Sequence, residues 1–100
     1  MIKHVVFFRL KESDIPGLKE KQLEELKYYI ENLGKTIEVI TAIEAGINIS
    51  DRDAAYDLAL ISDFKSEEDL RKYNAHPEHQ KVVSFLEEIK KEIAVVDYIY

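Results

Sequence analysis

Apolar side chains occupy both faces of several strand-like segments in this 100-residue chain. Over residues 2–10, Ile2, His4, Val6, Phe8 and Leu10 share one side of an alternating pattern, while Lys3, Val5, Phe7 and Arg9 share the other. Over residues 56–64, Leu58 and Leu60 oppose Ala59 and Ile61. Over residues 94–100, Val95 and Ile99 oppose Val96, Tyr98 and Tyr100. A sheet of such strands is apolar above and below, and both faces have to be covered.

The chain has helix enough for one face only. Ser13-Asp14-Ile15-Pro16 reads as a helix entry with Ser13 or Asp14 as cap. The helix is expected to run to about Leu33, with Leu23, Leu26, Ile30 and Leu33 as its stripe and Gly34 as the stop. A β-branched alternating stretch, residues 36–47, predicts the second strand, in which Gly46 marks a bulge or a close approach. The polar segment 48–53 is a turn, and 56–64 is the third strand. Ser66-Glu67-Glu68-Asp69 fits a capping pattern for a short helix carrying Leu70 and Tyr73. That helix restarts or bends at His76-Pro77 and continues to about Lys91, ahead of the last strand.

The order βαββαβ, joined by right-handed crossovers, predicts an α+β ferredoxin-like fold. It has a four-stranded antiparallel sheet with both helices on one face. The economical cover for the other face is a second copy packed sheet to sheet, so a homodimer closing a barrel-like core is expected. One domain spanning residues 1–100 accounts for the length.

Composition narrows the function. A net charge of −6 with no basic stripe argues against nucleic acid. No apolar run is long enough for a membrane span, and the opening residues read as a strand and not as a signal peptide. Without cysteine there is neither a disulfide framework nor a thiolate site, and a cytoplasmic location is the default expectation. Clustered glycines for phosphate are lacking as well.

Two of the three histidines lie in Tyr73-Asn74-Ala75-His76-Pro77-Glu78-His79. Pro77 suits the first position of a helix, which puts His76 at its entrance and His79 three residues on. Imidazoles there can do proton chemistry near neutral pH, or cap and pack. The i, i+3 spacing with an intervening proline is not the usual helical zinc pattern, so neither a metal nor a cofactor is expected. In the predicted topology the last strand runs beside the first. His4 and Asp97 can therefore be close, with His79 approaching from the helix above. An Asp–His pair orients an imidazole and raises its basicity. Tyr73 can offer its hydroxyl to a carbonyl oxygen becoming an oxyanion.

The chain resembles the stress-responsive α/β-barrel (Dabb) family along nearly its whole length. The resemblance is carried by Ile2-Lys3-His4-Val5-Val6, by Gly46-Ile47-Asn48-Ile49-Ser50, and by Phe64-Lys65-Ser66-Glu67-Glu68-Asp69-Leu70 with Tyr73 and His76-Pro77-Glu78-His79. Val95-Val96-Asp97-Tyr98 completes it. The family's fold is the dimeric ferredoxin-like barrel, and most of its members have no assigned activity. One plant member is a polyketide (olivetolic acid) cyclase that uses a tyrosine and the second histidine of its own Tyr-x-x-His-Pro-x-His segment. That implies Tyr73 and His79 as catalytic residues here, with His4 and Asp97 matching its strand-one histidine and last-strand aspartate. A cavity histidine of the cyclase falls at Leu58, where this chain departs from it.

The candidate site thus comprises His79 and Tyr73 as catalytic residues. His4, Asp97, His76, Asn48 and Leu58 are candidate binding contacts. Each has a plainer reading: His76 as a cap, His4 with Asp97 as a structural pair, Asn48 as a turn residue, Tyr73 as core. Three functions follow. The first is a cofactor-independent cyclase, lyase or isomerase acting on a small hydrophobic or aromatic carbonyl compound. The second is a non-catalytic stress-related binding or structural dimer. The third is a cofactor-free oxygenase or haem-handling protein.

Overall fold

β1 (Ile2–Leu10) is an inner strand of the sheet in the computed structural model, which describes residues 1–100. It pairs antiparallel with β3 (Leu58–Phe64) on one side and β4 (Lys90–Ile99) on the other, and β2 (Ala42–Ile47) pairs with β3. The order β2-β3-β1-β4 is that of the ferredoxin-like fold expected from the sequence. α1 (Leu18–Thr36), α2 (Glu67–Ala75) and α3 (Pro77–Ile89) complete the chain, so the expected second helix is two helices meeting at His76.

The alternation of β1 decides the layers. Ile2, His4, Val6, Phe8 and Leu10 are all buried under the helices, whereas Phe7 on the opposite face is exposed. Leu23, Leu26, Ile30 and Leu33 form the buried stripe of α1, as their spacing requires. Each side chain so buried is worth ~1.5–3 kcal/mol. One core cluster joins Leu23, Leu26 and Ile30 of that stripe to Val6, Phe8, Leu58 and Leu60. A second joins Ile2, Leu33, Ile37, Phe64, Leu70 and Tyr73.

Several boundaries differ from expectation, each for a local reason. α1 starts at Leu18 after Gly17, whose φ of 78° sits in the left-handed region, and no side chain caps it. Ser13 instead accepts the Ile15 N–H in a preceding turn. Gly34 lies inside α1 and does not end it; a Cβ there would come 2.7 Å from Ile43 Cγ2, so its role is close packing of α1 on β2. β2 begins at Ala42, because Ile37 and Ile40 turn inward to seal the second cluster. β3 begins at Leu58, since Asn48 to Asp57 form the connection that precedes it. β4 starts at Lys90, directly from α3, with no loop. At the α2 entrance Ser66 accepts the Asp69 N–H at 3.1 Å, as its capping pattern requires. No helix of the chain is long and apolar enough to cross a membrane.

Candidate functional site

The break between α2 and α3 builds the site. Pro77 cannot donate an amide proton, so it sits at the start of α3, with His76 as N-cap accepting the Glu78 N–H on Nδ1 at 3.1 Å. The end of α2 leaves its last carbonyls without helical partners. The carbonyl of Asn74 is taken by two side chains, His79 Nδ1 at 3.0 Å and Gln80 Nε2 at 2.8 Å. A carbonyl only accepts, so His79 carries its proton on Nδ1 and its Nε2 keeps the lone pair.

His79 borders a cavity of about 210 Å³ between sheet and helices. Its walls are mainly apolar, with Val6, Phe8, Leu60, Val83 and Leu86 among them, and its polar members are His4, Tyr73, Asn74 and His79. The rings of Tyr73 and His79 lie 4.5 Å apart, and those of His4 and Tyr73 lie 5.8 Å apart edge to face. Phe64 backs Tyr73 at 5.1 Å. Tyr73 is only 2 % exposed, and burial pushes its phenol well above the usual range, so it is a neutral hydrogen-bond donor at any ordinary pH.

His4 is buried and its Nδ1 meets Asp97 Oδ1 at 2.5 Å across the β1–β4 register. Asp97 is partly open to solvent on the other side, where Glu67 and Arg71 line a small surface depression. With Nδ1 engaged by the carboxylate, His4 is held by a fixed partner at the cavity wall.

His79 has its pKa lowered from 6.5. Burial is the largest cause; the Asn74 carbonyl works the other way, and His4 and His76 add to the lowering. A histidine with a depressed folded pKa binds its proton more weakly in the folded state than in the unfolded state. Its contribution to stability is therefore complete above about pH 6.5 and is lost as pH falls through the lower, folded value. Wild type is expected to lose stability between pH 7 and pH 5 relative to His79→Gln, as read by urea unfolding at each pH. Equal pH dependence in the two proteins would contradict it.

The structure thus brings His4, Tyr73 and His79 to one cavity, with Asp97 behind His4. It does not bring Asn48, Leu58 or His76 there. Asn48 turns back on its own loop, accepting the Ser50 N–H at 2.9 Å and donating to the Ser50 carbonyl at 2.7 Å. Leu58 is core under the helices at the far end of β3 and, with Asn48, borders a separate depression near Phe7. His76 caps α3 and borders a surface hollow with Lys72 and Glu38. Sequence reasoning had no role for Asn74, whose carbonyl sets the tautomer of His79. The signal available was its place at the end of a helix that Pro77 forces to restart.

Comparison with known proteins follows the same outline. The family model described as the stress responsive A/B barrel domain, Dabb, matches residues 2–100. An uncharacterised protein of Streptomyces coelicolor is 35 % identical over 98 residues, covering 98 % of each chain. A stress-response A/B barrel domain-containing protein of Arabidopsis thaliana, DABB1, is 30 % identical over 100 residues. The match takes in 99 % of this chain and 47 % of that protein, so the chain spans about half of its length. A crystal structure from Bacteroides fragilis, described as a dimeric protein of unknown function with a ferredoxin-like fold, superposes with a TM-score of 0.90 at 34 % identity. It covers 99 % of this chain and 95 % of that one.

Proposed function

The chain belongs to the stress responsive A/B barrel (Dabb) family, and from that premise we propose that it binds a small apolar carbonyl compound in the cavity and moves a proton beside the carbonyl. The observation that carries this reading is the state of His79: neutral through burial, its Nδ1 proton held by Asn74, its Nε2 lone pair spare, and Tyr73 against its ring at 4.5 Å.

The chemistry has two parts. His79 Nε2 takes the proton from the carbon next to the carbonyl. The electron pair left on that carbon moves onto the carbonyl oxygen, and Tyr73 donates a hydrogen bond to the developing oxyanion. The proton is then returned to the same carbon, in exchange or epimerisation, or to a different atom of the enolate, in isomerisation; in cyclisation the enolate carbon attacks a second carbonyl and the alkoxide so formed takes the proton from His79. His4, oriented by Asp97, is a second imidazole at the wall and borders the bound compound. The cavity volume of about 210 Å³ is below the ~300 Å³ usual for drug-sized ligands, so a single-ring or short-chain compound fits best.

A homodimer goes with this reading. The sheet face away from the helices carries Val5, Phe7, Ala59, Ile61, Ala94 and Val96, and no element of the chain covers it. Four strands at ~4.8 Å spacing make a face about 20 Å wide, and nine residues of strand at ~3.3 Å make it about 30 Å long. With side-chain relief that approaches the ~800 Å² per partner of a stable interface. Similarity at 34 % identity to a Bacteroides protein described as dimeric points the same way.

Titrating ¹⁵N-labelled protein with phenylacetone, a small aromatic ketone, tests the binding step. Amide shifts centred on Asn74, His79, Val83 and Leu86 are the expected result. Shifts centred elsewhere, or none at millimolar ketone, would contradict the assignment of the cavity.

A further inference from the structure

The helices that roof the cavity share two residues with a second space. On α3, His79, Val82, Val83 and Leu86 face the cavity, at the i, i+3, i+4 and i+7 positions of one side. Glu78, Lys81, Val82 and Phe85 form the neighbouring row. With Tyr29 and Asn32 of α1 they line a groove of about 340 Å³. Leu33 of α1 and Val82 of α3 border both spaces. Packed helices lie about 8–10 Å apart, so side chains alone part the groove from the cavity here. Val82 is the thin point of that partition: it is half-buried and packs against both core clusters, at the seam between them.

We propose that the carbonyl compound occupies both spaces: its reacting end lies in the cavity at His79, and a flat, uncharged arm crosses Val82 into the groove between α1 and α3. The inference rests on the cavity reading above and extends it from the reacting end of the compound to its substituent. Three features of the groove define the arm. Tyr29 and Phe85 meet edge to face, with centroids 5.1 Å apart and an angle of 84°, and offer a planar group an aromatic wall. Asn32 is half-buried, and while its backbone carbonyl accepts from Thr36, its side-chain amide pairs with no other group of the chain. That amide has a donor and an acceptor for a hydroxyl or carbonyl on the arm. The two charged residues of the groove, Lys81 and Glu78, pair with each other at 3.0 Å, so no ion is called for.

The cavity has another open wall, at Val95 on β4, which is 53 % exposed. The β4 residues there, Ile93 and Val95, are aliphatic and give an arm neither an aromatic face nor a hydrogen bond. The groove gives both, and it is larger than the cavity itself. The single ring that the cavity takes is then the inner part of a longer molecule, and the side chain at position 82 sets how thick the link between the two parts can be.

Two ketones test this by ¹⁵N titration: phenylacetone, which the cavity holds alone, and its para-(4-hydroxyphenyl) derivative, which adds a ring and a hydroxyl. In wild type both are expected to shift His79 and Val83, and the longer ketone alone to shift Tyr29, Asn32 and Phe85 as well. Val82→Ala is expected to bind the longer ketone at least fivefold more tightly and phenylacetone within about twofold of wild type. Asn32→Ala is expected to weaken the hydroxylated ketone several-fold and to leave its para-phenyl counterpart, which lacks the hydroxyl, unchanged; a general loosening of α1 would weaken both alike. A longer ketone that shifts Ile93 and Val95 in place of Tyr29 and Asn32, that binds Val82→Ala no better than wild type, or that fails to bind where phenylacetone does, overturns the placement of the arm and leaves the cavity reading standing. Phenylacetone that does not bind, or that shifts residues away from His79, overturns both.

Discussion

His79→Gln is expected to lower α-proton exchange of a bound ketone by ~10²-fold or more while leaving ketone binding within a few-fold of wild type. General-base catalysis contributes about 10²–10⁴ in rate, and glutamine has no lone pair basic enough to supply it. Its side-chain amide can still donate to the Asn74 carbonyl, as the imidazole does at 3.0 Å, and it fills similar space against Tyr73. The variant therefore separates chemistry from architecture, which His79→Ala does not. The check is exchange of phenylacetone in D₂O followed by proton NMR, with binding read from the same ¹⁵N titration. Equal loss of binding and exchange would make His79 a wall of the cavity and not its base.

The second large effect concerns the open face. Val96→Asp is expected to weaken the dimer by ~10³-fold or more and to leave a folded monomer. Val96 is 59 % exposed in the single chain, beside Val5 in the ladder, so an aspartate there keeps its hydration when the chain is alone. In the dimer two such carboxylates, one from each copy, are taken out of water without partners, at several kcal/mol each. Each 1.4 kcal/mol is a factor of ten in the dissociation constant. Sedimentation equilibrium together with circular dichroism checks both halves. A variant that dimerises as wild type does would put the interface elsewhere.

Most of the fold could be read because it rests on alternation and periodicity. The period of two in residues 2–10 assigns His4, Val6 and Phe8 to one layer and Val5 and Phe7 to the other, and the Leu23–Leu33 stripe lies where its spacing puts it. Ser66 and His76 cap because their side chains suit the turns that Glu67 and Pro77 begin. What failed was local. Gly17 and Gly34 are both glycines near helix ends, yet one starts α1 through a left-handed φ and the other packs within it against Ile43. Ile37 lies in the alternating stretch 36–47 but is drawn, together with Ile40, into the core. For the candidate site, the approach of His4 to Asp97 was accessible from topology, because strands β1 and β4 are neighbours in the fold. The separation of Asn48 and Leu58 from His79 was not, because it depends on distance along the sheet: Leu58 faces Phe8, four residues beyond His4 on β1. The hydrogen bond from His79 to Asn74 depends on the bend angle at Pro77, which no residue pattern states.

The central claim is that a half-buried, neutral His79 serves as a base in the cavity. The pH dependence of phenylacetone exchange by wild type, against free imidazole at equal concentration, tests it most directly. The account predicts exchange faster than imidazole gives, rising with pH and reaching half its plateau below pH 6.5, because the His79 pKa is lowered. Exchange no faster than with imidazole, or a profile that His79→Gln shares, would contradict it.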